Sequence, residues 1–133
     1  MEDIVDQLRE SAITTASYLE LPSEDDLVVV EEEILLPIPR EMKSFLLQVS
    51  DVIYGSLEPV TVADPGAHTH LPEVTANAWA NGLSRELMVL CQVGGDYYCV
   101  NQEGEVSLWQ EGELVEERWD DVWHWAEEVW LNS

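Results

Sequence analysis

The excess of acidic side chains is the feature that most constrains the fold of this chain. The sequence carries 28 Asp and Glu residues against 5 Lys and Arg residues, which gives a formal charge of −23. Repulsion among so many like charges destabilises a compact state. Hydrophobic residues nevertheless make up 46% of the sequence, whereas disordered chains combine high charge with few apolar groups. The composition therefore predicts a folded protein with an acidic surface.

The length indicates one domain that spans residues 1–133, because a chain of this size can bury one core without disulfide bonds. Met1 is followed directly by Glu2-Asp3 rather than by a basic region and an apolar run, so we expect no signal peptide. No stretch approaches the roughly 20 apolar residues that a membrane span requires. These features predict a cytoplasmic protein in which Cys91 and Cys99 are reduced thiols.

The acidic residues are concentrated at the two ends of the chain. Residues 1–33 and residues 93–133 each contain 11 acidic residues and one basic residue, whereas residues 34–92 contain 6 acidic and 3 basic residues. Nucleic-acid binding needs a basic surface that five scattered cations do not supply. Such a field instead attracts a cationic partner. If the fold brings the two ends together, we expect them to form one binding surface.

Apolar residues at helical spacing predict two helices in the first part of the chain. Ile4, Leu8 and Ala12 mark one face of an N-terminal helix, and acidic residues face outward. Pro39 can occupy the first position of another helix. The apolar face of that second helix consists of Met42, Phe45, Leu46 and Val49.

The segment between these helices is ambiguous by propensity alone. Ser23 and Asp26 resemble a weak capping box, and the acidic run that follows also favours a helix. The β-branched residues within 27–33 favour a strand, so both alternatives remain open. Farther along, the pattern indicates a strand over about 58–63 and a short helix over 72–83.

From Leu87 onward, short β-type segments alternate with turn residues, and this predicts a meander. Gly94-Gly95-Asp96 is typical of a hairpin turn. The predicted strands cover residues 87–93, 97–101, 105–109 and a segment that ends near Trp119. Asp120 or Asp121 then caps a last helix. The fold class is therefore α+β, with an antiparallel meander sheet of four to six strands flanked by N-terminal helices and a C-terminal helix.

Residues 31–51 contain a short motif. An acidic run is followed by Ile38-Pro39, two residues, Met42, two residues and Phe45-Leu46. This spacing resembles that of the SUKH superfamily, the Smi/Knr-type cell-wall-regulator homologues, whose pattern has Leu-Pro, an aromatic residue, Phe-Leu and then Asn-Gly. The chain departs from the pattern at Ile38, at Met42 and at Ser50-Asp51, which stands in the place of Asn-Gly.

The resemblance extends over about residues 20–131, since the hairpin segment and the Trp-rich C-terminus also look like the family. It implies that the segment before Ile38-Pro39 is helical and that helices flank an antiparallel sheet. It also implies a function, because bacterial members of the family are immunity proteins. These proteins bind and neutralise polymorphic or contact-dependent toxins, many of which are nucleases.

The densest acidic clusters are the expected contact sites for a basic protein partner. Trp123 lies at the margin of the apolar arc of the last helix, where an aromatic side chain can anchor a partner. Burial in the core is the favoured alternative for this residue. The predicted partner-binding residues are Glu31, Glu32, Glu33, Glu116, Glu117, Asp120, Asp121 and Trp123.

No pattern in the sequence indicates catalysis, a cofactor or a metal. Paired carboxylates occur at every spacing by chance in so acidic a chain. His68 and His70 have metal-ligand chemistry, but Asp64-Pro65-Gly66 before them favours a loop pair without a metal. Cys91 and Cys99 are expected to be buried thiols; a three-residue hairpin loop would place them opposite each other, and a two-residue loop on opposite faces.

We therefore expect a non-enzymatic protein of the immunity type, which binds and neutralises a basic toxin domain by occlusion. The toxin enters this hypothesis through the family resemblance, because charge alone indicates only a preference for cations. The alternative is an acidic regulatory or scaffold module that binds proteins without a toxin partner.

Overall fold

Helices precede and follow an antiparallel sheet in the computed structural model, which describes residues 2–11, 21–52 and 54–133. Ala12, predicted on the first helix, lies outside the described residues. The helices are α1 (Glu2–Ser11), α2 (Glu24–Ile34), α3 (Arg40–Val49), α4 (Leu71–Ala80) and α5 (Val122–Trp125), and α5 continues into a π-helical turn (Ala126–Trp130). The strands are β1 (Met88–Val93), β2 (Asp96–Val100), β3 (Val106–Gln110) and β4 (Glu113–Trp119).

The predicted α+β fold is confirmed, and the sheet has four strands in the order β1-β2-β3-β4. Each strand is antiparallel to the next, as short connections require. The predicted strand over 58–63 is not part of this ladder: residues 59 and 61 make only isolated bridges, to Cys91 and His70. Pro59 has no N–H to donate, which prevents a regular ladder at that point.

The ambiguous segment before Ile38-Pro39 is helix α2, as the family resemblance implied. Its first turn is closed by a capping box, in which Ser23 N donates to Asp26 Oδ2 at 2.9 Å and Asp26 N donates to Ser23 Oγ at 3.2 Å. The buried face consists of Leu27, Val30 and Ile34. The cap and the burial of this face outweigh the β-branched propensity of the segment.

A two-residue turn, Gly94-Gly95, connects β1 to β2, because Val93 pairs directly with Asp96. Gly94 has a φ of 60°, a conformation that glycine adopts without steric strain. The sequence left two-residue and three-residue loops open. The two-residue form pairs Cys91 and Cys99 with different neighbours and places the thiols on opposite faces of the sheet.

The aromatic core lies between α3 and the C-terminal segment. Phe45 on α3 contacts three tryptophan rings, with centroids 5.6 Å from Trp123, 6.4 Å from Trp125 and 5.7 Å from Trp130. Five of the six tryptophans lie in the last quarter of the chain, and all five are buried. Burial of rings of this size supplies much of the apolar contact that offsets the charge repulsion. On the other side, α4 packs on β1, where Val89 N donates to Thr75 Oγ1 at 3.1 Å.

Candidate functional site

Most acidic side chains of the described residues are exposed. Four carboxylates of this part of the chain form ion pairs, and two of those pairs depend on protonation of a histidine. The pairs are Asp51 with Arg9, Glu31 with Lys43, Glu58 with His68, and Asp121 with His124. Most of the other carboxylates whose exposure the structure describes are exposed, so the surface field is strongly negative and attracts cations.

The three glutamates at the end of α2 have different surroundings. Glu31 accepts a hydrogen bond from Ile38 N at 2.7 Å, and its carboxylate lies 3.6 Å from Lys43 Nζ. Its side chain is only 21% exposed, so it holds the α2–α3 connection in place. Glu32 and Glu33 are exposed. Only these two are available to a partner.

Glu116 and Glu117 lie on β4, an edge strand with no described strand on its outer side. The β3–β4 register shifts by two residues within β4: Trp109 pairs with Leu114, but Ser107 pairs with Arg118. The two extra residues form a bulge that contains both glutamates. Because a bulge bends the strand and interrupts its ladder, both carboxylates are exposed and the edge is a poor template for another strand.

Arg118 stabilises this bulge. Its guanidinium donates to the carbonyl oxygens of Val115 and Glu117. One of the few basic side chains near β4 is therefore directed towards the backbone, and the acidic side chains of the strand stay without a cation.

Asp120 and Asp121 follow β4 and also differ from each other. Asp121 caps α5, since its Oδ1 accepts from His124 N at 2.9 Å and lies 2.8 Å from His124 Nδ1. This hydrogen bond and the negative charge of Asp121 raise the pKa of His124. Asp120 is exposed. Asp121 therefore has a local structural role, and Asp120 is available to a partner.

Trp123, the aromatic residue among the predicted contacts, is 2% exposed and packs on Phe45. A partner docking on the surface of this conformation does not reach its ring. The burial agrees with the alternative that the sequence favoured, a core tryptophan. Leu114 on β4, by contrast, is an exposed apolar residue, with 44% of its surface accessible.

The exposed acids on β4 and just beyond it define a surface that we call the acidic edge: Glu113, Glu116, Glu117 and Asp120, with Leu114 among them. The acids of α2 are on a separate element. α2 packs against α4, and α4 packs against β1, the strand at the opposite side of the sheet. The exposed acids of α2 and those of the acidic edge therefore lie on elements at opposite sides of the sheet.

The sequence analysis did not single out Glu113 and Leu114, which are exposed on β4. A signal for them was present, because the last strand of a meander lies at an edge when a helix follows it. The bulge could not be predicted from the sequence, because the register shift depends on how β3 pairs with β4.

The other candidate groups do not converge. His68 Nε2 lies 2.9 Å from Glu58 Oε2, while His70 is buried at the start of α4. Within residues 2–11, 21–52 and 54–133, no three His, Cys, Asp or Glu side chains form a group that could hold a metal ion. Cys91 and Cys99 are buried free thiols, and burial raises the pKa of each to about 12. Their nucleophilic thiolate forms are therefore strongly disfavoured.

The geometry defines an α+β protein with an antiparallel meander, a buried aromatic core and acidic surface clusters. No helix among the described ones has the length and apolar character to cross a membrane. The chain belongs to the SUKH superfamily: the SMI1-KNR4 cell-wall family, SUKH_5, matches residues 1–131. The resemblance in the 31–51 motif is thereby confirmed. Proteins of this family are generally non-catalytic, and the family suggests protein–protein interaction.

A crystal structure of a protein from Pseudomonas syringae pv. tomato is similar over the whole chain. The two sequences are 55% identical, the alignment covers 100% of each chain, and the TM-score is 0.97. The arrangement of helices and strands described above is therefore shared with that protein. No curated protein matches the chain.

Proposed function

We propose that this protein is an immunity-type protein that binds and neutralises a basic toxin domain in the cytoplasm. The observation that carries the proposal is the acidic edge, where Glu113, Glu116, Glu117 and Asp120 are exposed together. Glu116 and Glu117 lie in the bulge of β4, and the Arg118 guanidinium donates to backbone carbonyls rather than to these carboxylates. A role as an immunity protein is also consistent with membership of the SUKH superfamily.

Electrostatics explain why a basic toxin fits this surface. A nuclease must be cationic where it grips phosphate, so a strongly negative protein can cover that region and exclude the substrate. Charge complementarity of this kind can raise association rates to roughly 10⁸–10⁹ M⁻¹s⁻¹. Once the partners are in contact, Leu114 supplies an apolar group within the charged surface. Occlusion of the toxin requires no chemical step by the immunity protein.

A second candidate function is an acidic regulatory or scaffold module without a toxin partner. The cell-wall description of the matched family favours this alternative. The same acidic edge would then bind a basic protein of the host cell. The two functions differ in whether a toxic partner exists, and genetic protection distinguishes them.

The test is co-expression with the toxin domain encoded beside this gene. We expect the wild-type protein to protect the cells and to form a complex with the toxin that a pull-down detects. The variant with Glu116→Lys and Glu117→Lys should lose both properties, because it places positive charge against a basic surface.

The matched control carries Glu32→Lys and Glu33→Lys, which makes the same change of charge on α2. If only the β4 variant fails, the acidic edge is the binding surface. If both variants fail equally, total charge rather than the acidic edge carries the binding. If the wild-type protein protects against no adjacent toxin, the immunity function is wrong.

A further inference from the structure

A cavity of about 330 Å³ opens beside the C-terminal end of α3, away from the residues of the acidic edge. Several of its lining side chains are apolar, and Trp130 is one of them. The Trp130 ring is fixed in orientation, because its Nε1 donates to Tyr54 O at 3.1 Å. The apolar lining side chains are Val49, Val52, Leu57, Pro59, Ala67 and Trp130.

The charged lining groups are acidic. Asp64 and Glu58 both line the cavity, and none of its described lining residues is Lys or Arg. Asp64 is held in place because its Oδ1 accepts from Gly66 N at 2.9 Å. The hydroxyls of Thr61 and Thr69, which also line the cavity, are 2.7 Å apart and bond to each other. The cavity therefore combines an apolar interior with two carboxylates.

His68 is the partner of the Glu58 carboxylate at the cavity. Its Nε2 lies 2.9 Å from Glu58 Oε2, and both side chains are largely exposed, at 75% and 64%. A solvent-exposed pair of this kind contributes little stability and is readily exchanged. A second cavity of about 290 Å³ shares Glu58, His68 and Thr69 with the first, so the pair separates two open spaces. Displacement of His68 would give a ligand access to the Glu58 carboxylate.

We propose that this cavity binds an organic cation: an ammonium or guanidinium group on a short apolar stem. The stem contacts Leu57 and Trp130, and the charged group binds the carboxylates of Glu58 and Asp64. Charge-assisted hydrogen bonds to carboxylates are the strong interactions available to such a group. The cavity is at the small end of the usual range for ligand sites, about 300–1,000 Å³, so it suits one basic side chain or one small amine.

Other ligand classes fit less well. An anion would face two carboxylates, and the described lining residues include no Lys or Arg to compensate them. The His68 imidazole already pairs with Glu58. A metal ion needs several converging oxygen or nitrogen ligands, and the described residues form no such group. A neutral apolar ligand would make no use of the two carboxylates. The site is separate from the acidic edge and does not depend on the immunity function.

The first measurement is an NMR titration of the purified protein at physiological ionic strength with n-butylguanidine. We expect a saturable shift of the Trp130 indole N–H and of the Gly66 amide. Neutral n-pentanol, which keeps an apolar stem, should bind at least about tenfold more weakly, since it lacks the charge-assisted bond.

Variants separate this site from general attraction of cations to an acidic protein. Glu58→Gln and Asp64→Asn should each weaken binding about tenfold or more. The control Glu73→Gln removes an exposed charge from α4, outside the cavity, and should leave the affinity unchanged. Circular dichroism and thermal unfolding verify that each variant folds. A variant of another kind, Ala67→Trp, should fill the cavity and so abolish the ligand-induced NMR shift.

A further titration distinguishes a basic side chain of a partner protein from a free small organic cation. The peptide acetyl-Gly-Gly-Arg-Gly-Gly-amide presents a guanidinium on a polypeptide, as a partner protein would. Binding of the peptide as tight as that of n-butylguanidine assigns the cavity to a basic side chain, and much weaker binding assigns it to a free small cation. The proposal is overturned if neither probe gives a saturable shift, or if Glu73→Gln weakens binding as much as Glu58→Gln does.

Discussion

Both edge strands of the sheet contain a bulge, but the two bulges have different surroundings. β1 carries one extra residue, Leu90, and β4 carries two extra residues across its bulge. At β1 the displaced Leu90 carbonyl accepts from Val60 N at 2.8 Å, so the chain covers this edge with its own residues. At β4 the bulge carbonyls bind Arg118, and none of the described strands pairs with its outer side.

The difference teaches how one small sheet can combine stability with an exposed surface. An unprotected edge invites pairing with other chains, and proteins limit this with covering segments, bulges and charges. The β1 edge is protected by burial: Leu90 and Cys91 are fully buried there. The β4 edge is protected by its bulge and its glutamates. The charges that prevent strand pairing at β4 are the same charges that we propose for partner binding.

The largest effect should come from truncating the same side chain at the two edges. Leu90→Ala removes a fully buried side chain from β1 and should lower the free energy of unfolding by about 2–5 kcal/mol. Leu114→Ala removes an exposed side chain from β4 and should change it by less than about 0.5 kcal/mol. Urea unfolding followed by tryptophan fluorescence measures both. Equal losses would show that β4 is packed as tightly as β1.

A smaller effect is expected when the bulge at β4 is removed. The Trp109–Leu114 and Ser107–Arg118 pairs differ in register by two residues. Deletion of Glu116 and Glu117 removes two residues and therefore brings both pairs into one register. The shortened strand can form a regular ladder with β3 and presents a straighter, less charged edge. We expect more self-association than in the wild-type protein, because regular exposed edges template pairing.

Light scattering over a concentration series measures this self-association. The control is the substitution of both glutamates by Gln, which removes the same charges and keeps the bulge. If the deletion and the Gln variant associate equally, charge alone protects the edge. If neither associates more than the wild-type protein, the edge needs no protection and the comparison of the two edges fails at this point.

Local chemistry made much of the fold predictable from the sequence. The meander follows from Gly-containing turns between β-rich segments, and the capping residues Ser23 and Asp121 mark the starts of helices. The site was harder to predict, because Glu31 and Glu32 are neighbours in the chain, yet only Glu31 bonds to Ile38 N. Such differences depend on tertiary contacts, and charge density along the sequence does not contain them.

The smallest effect concerns His124 on α5, whose N-cap is Asp121. Asp121 raises the pKa of His124 in the folded protein through a hydrogen bond and through its charge. A raised pKa means that the protonated imidazole stabilises the fold. This contribution is fully present below the pKa of the unfolded chain, about 6.5, and is lost as the pH rises through the folded value.

The expected size is small, because the His124 side chain is 57% exposed and solvent screens the pair. NMR titration of the His124 ring should give a pKa above that of a model peptide, and Asp121→Asn should lower it. Asn keeps the capping function of Asp121, so the helix start is retained and only the charge changes. Thermal unfolding of the wild-type protein should lose slightly more stability between pH 6 and pH 8 than unfolding of this variant does. An unchanged His124 pKa in Asp121→Asn would mean that the Asp121–His124 pair does not form in solution. The start of α5 would then be stabilised without this ion pair.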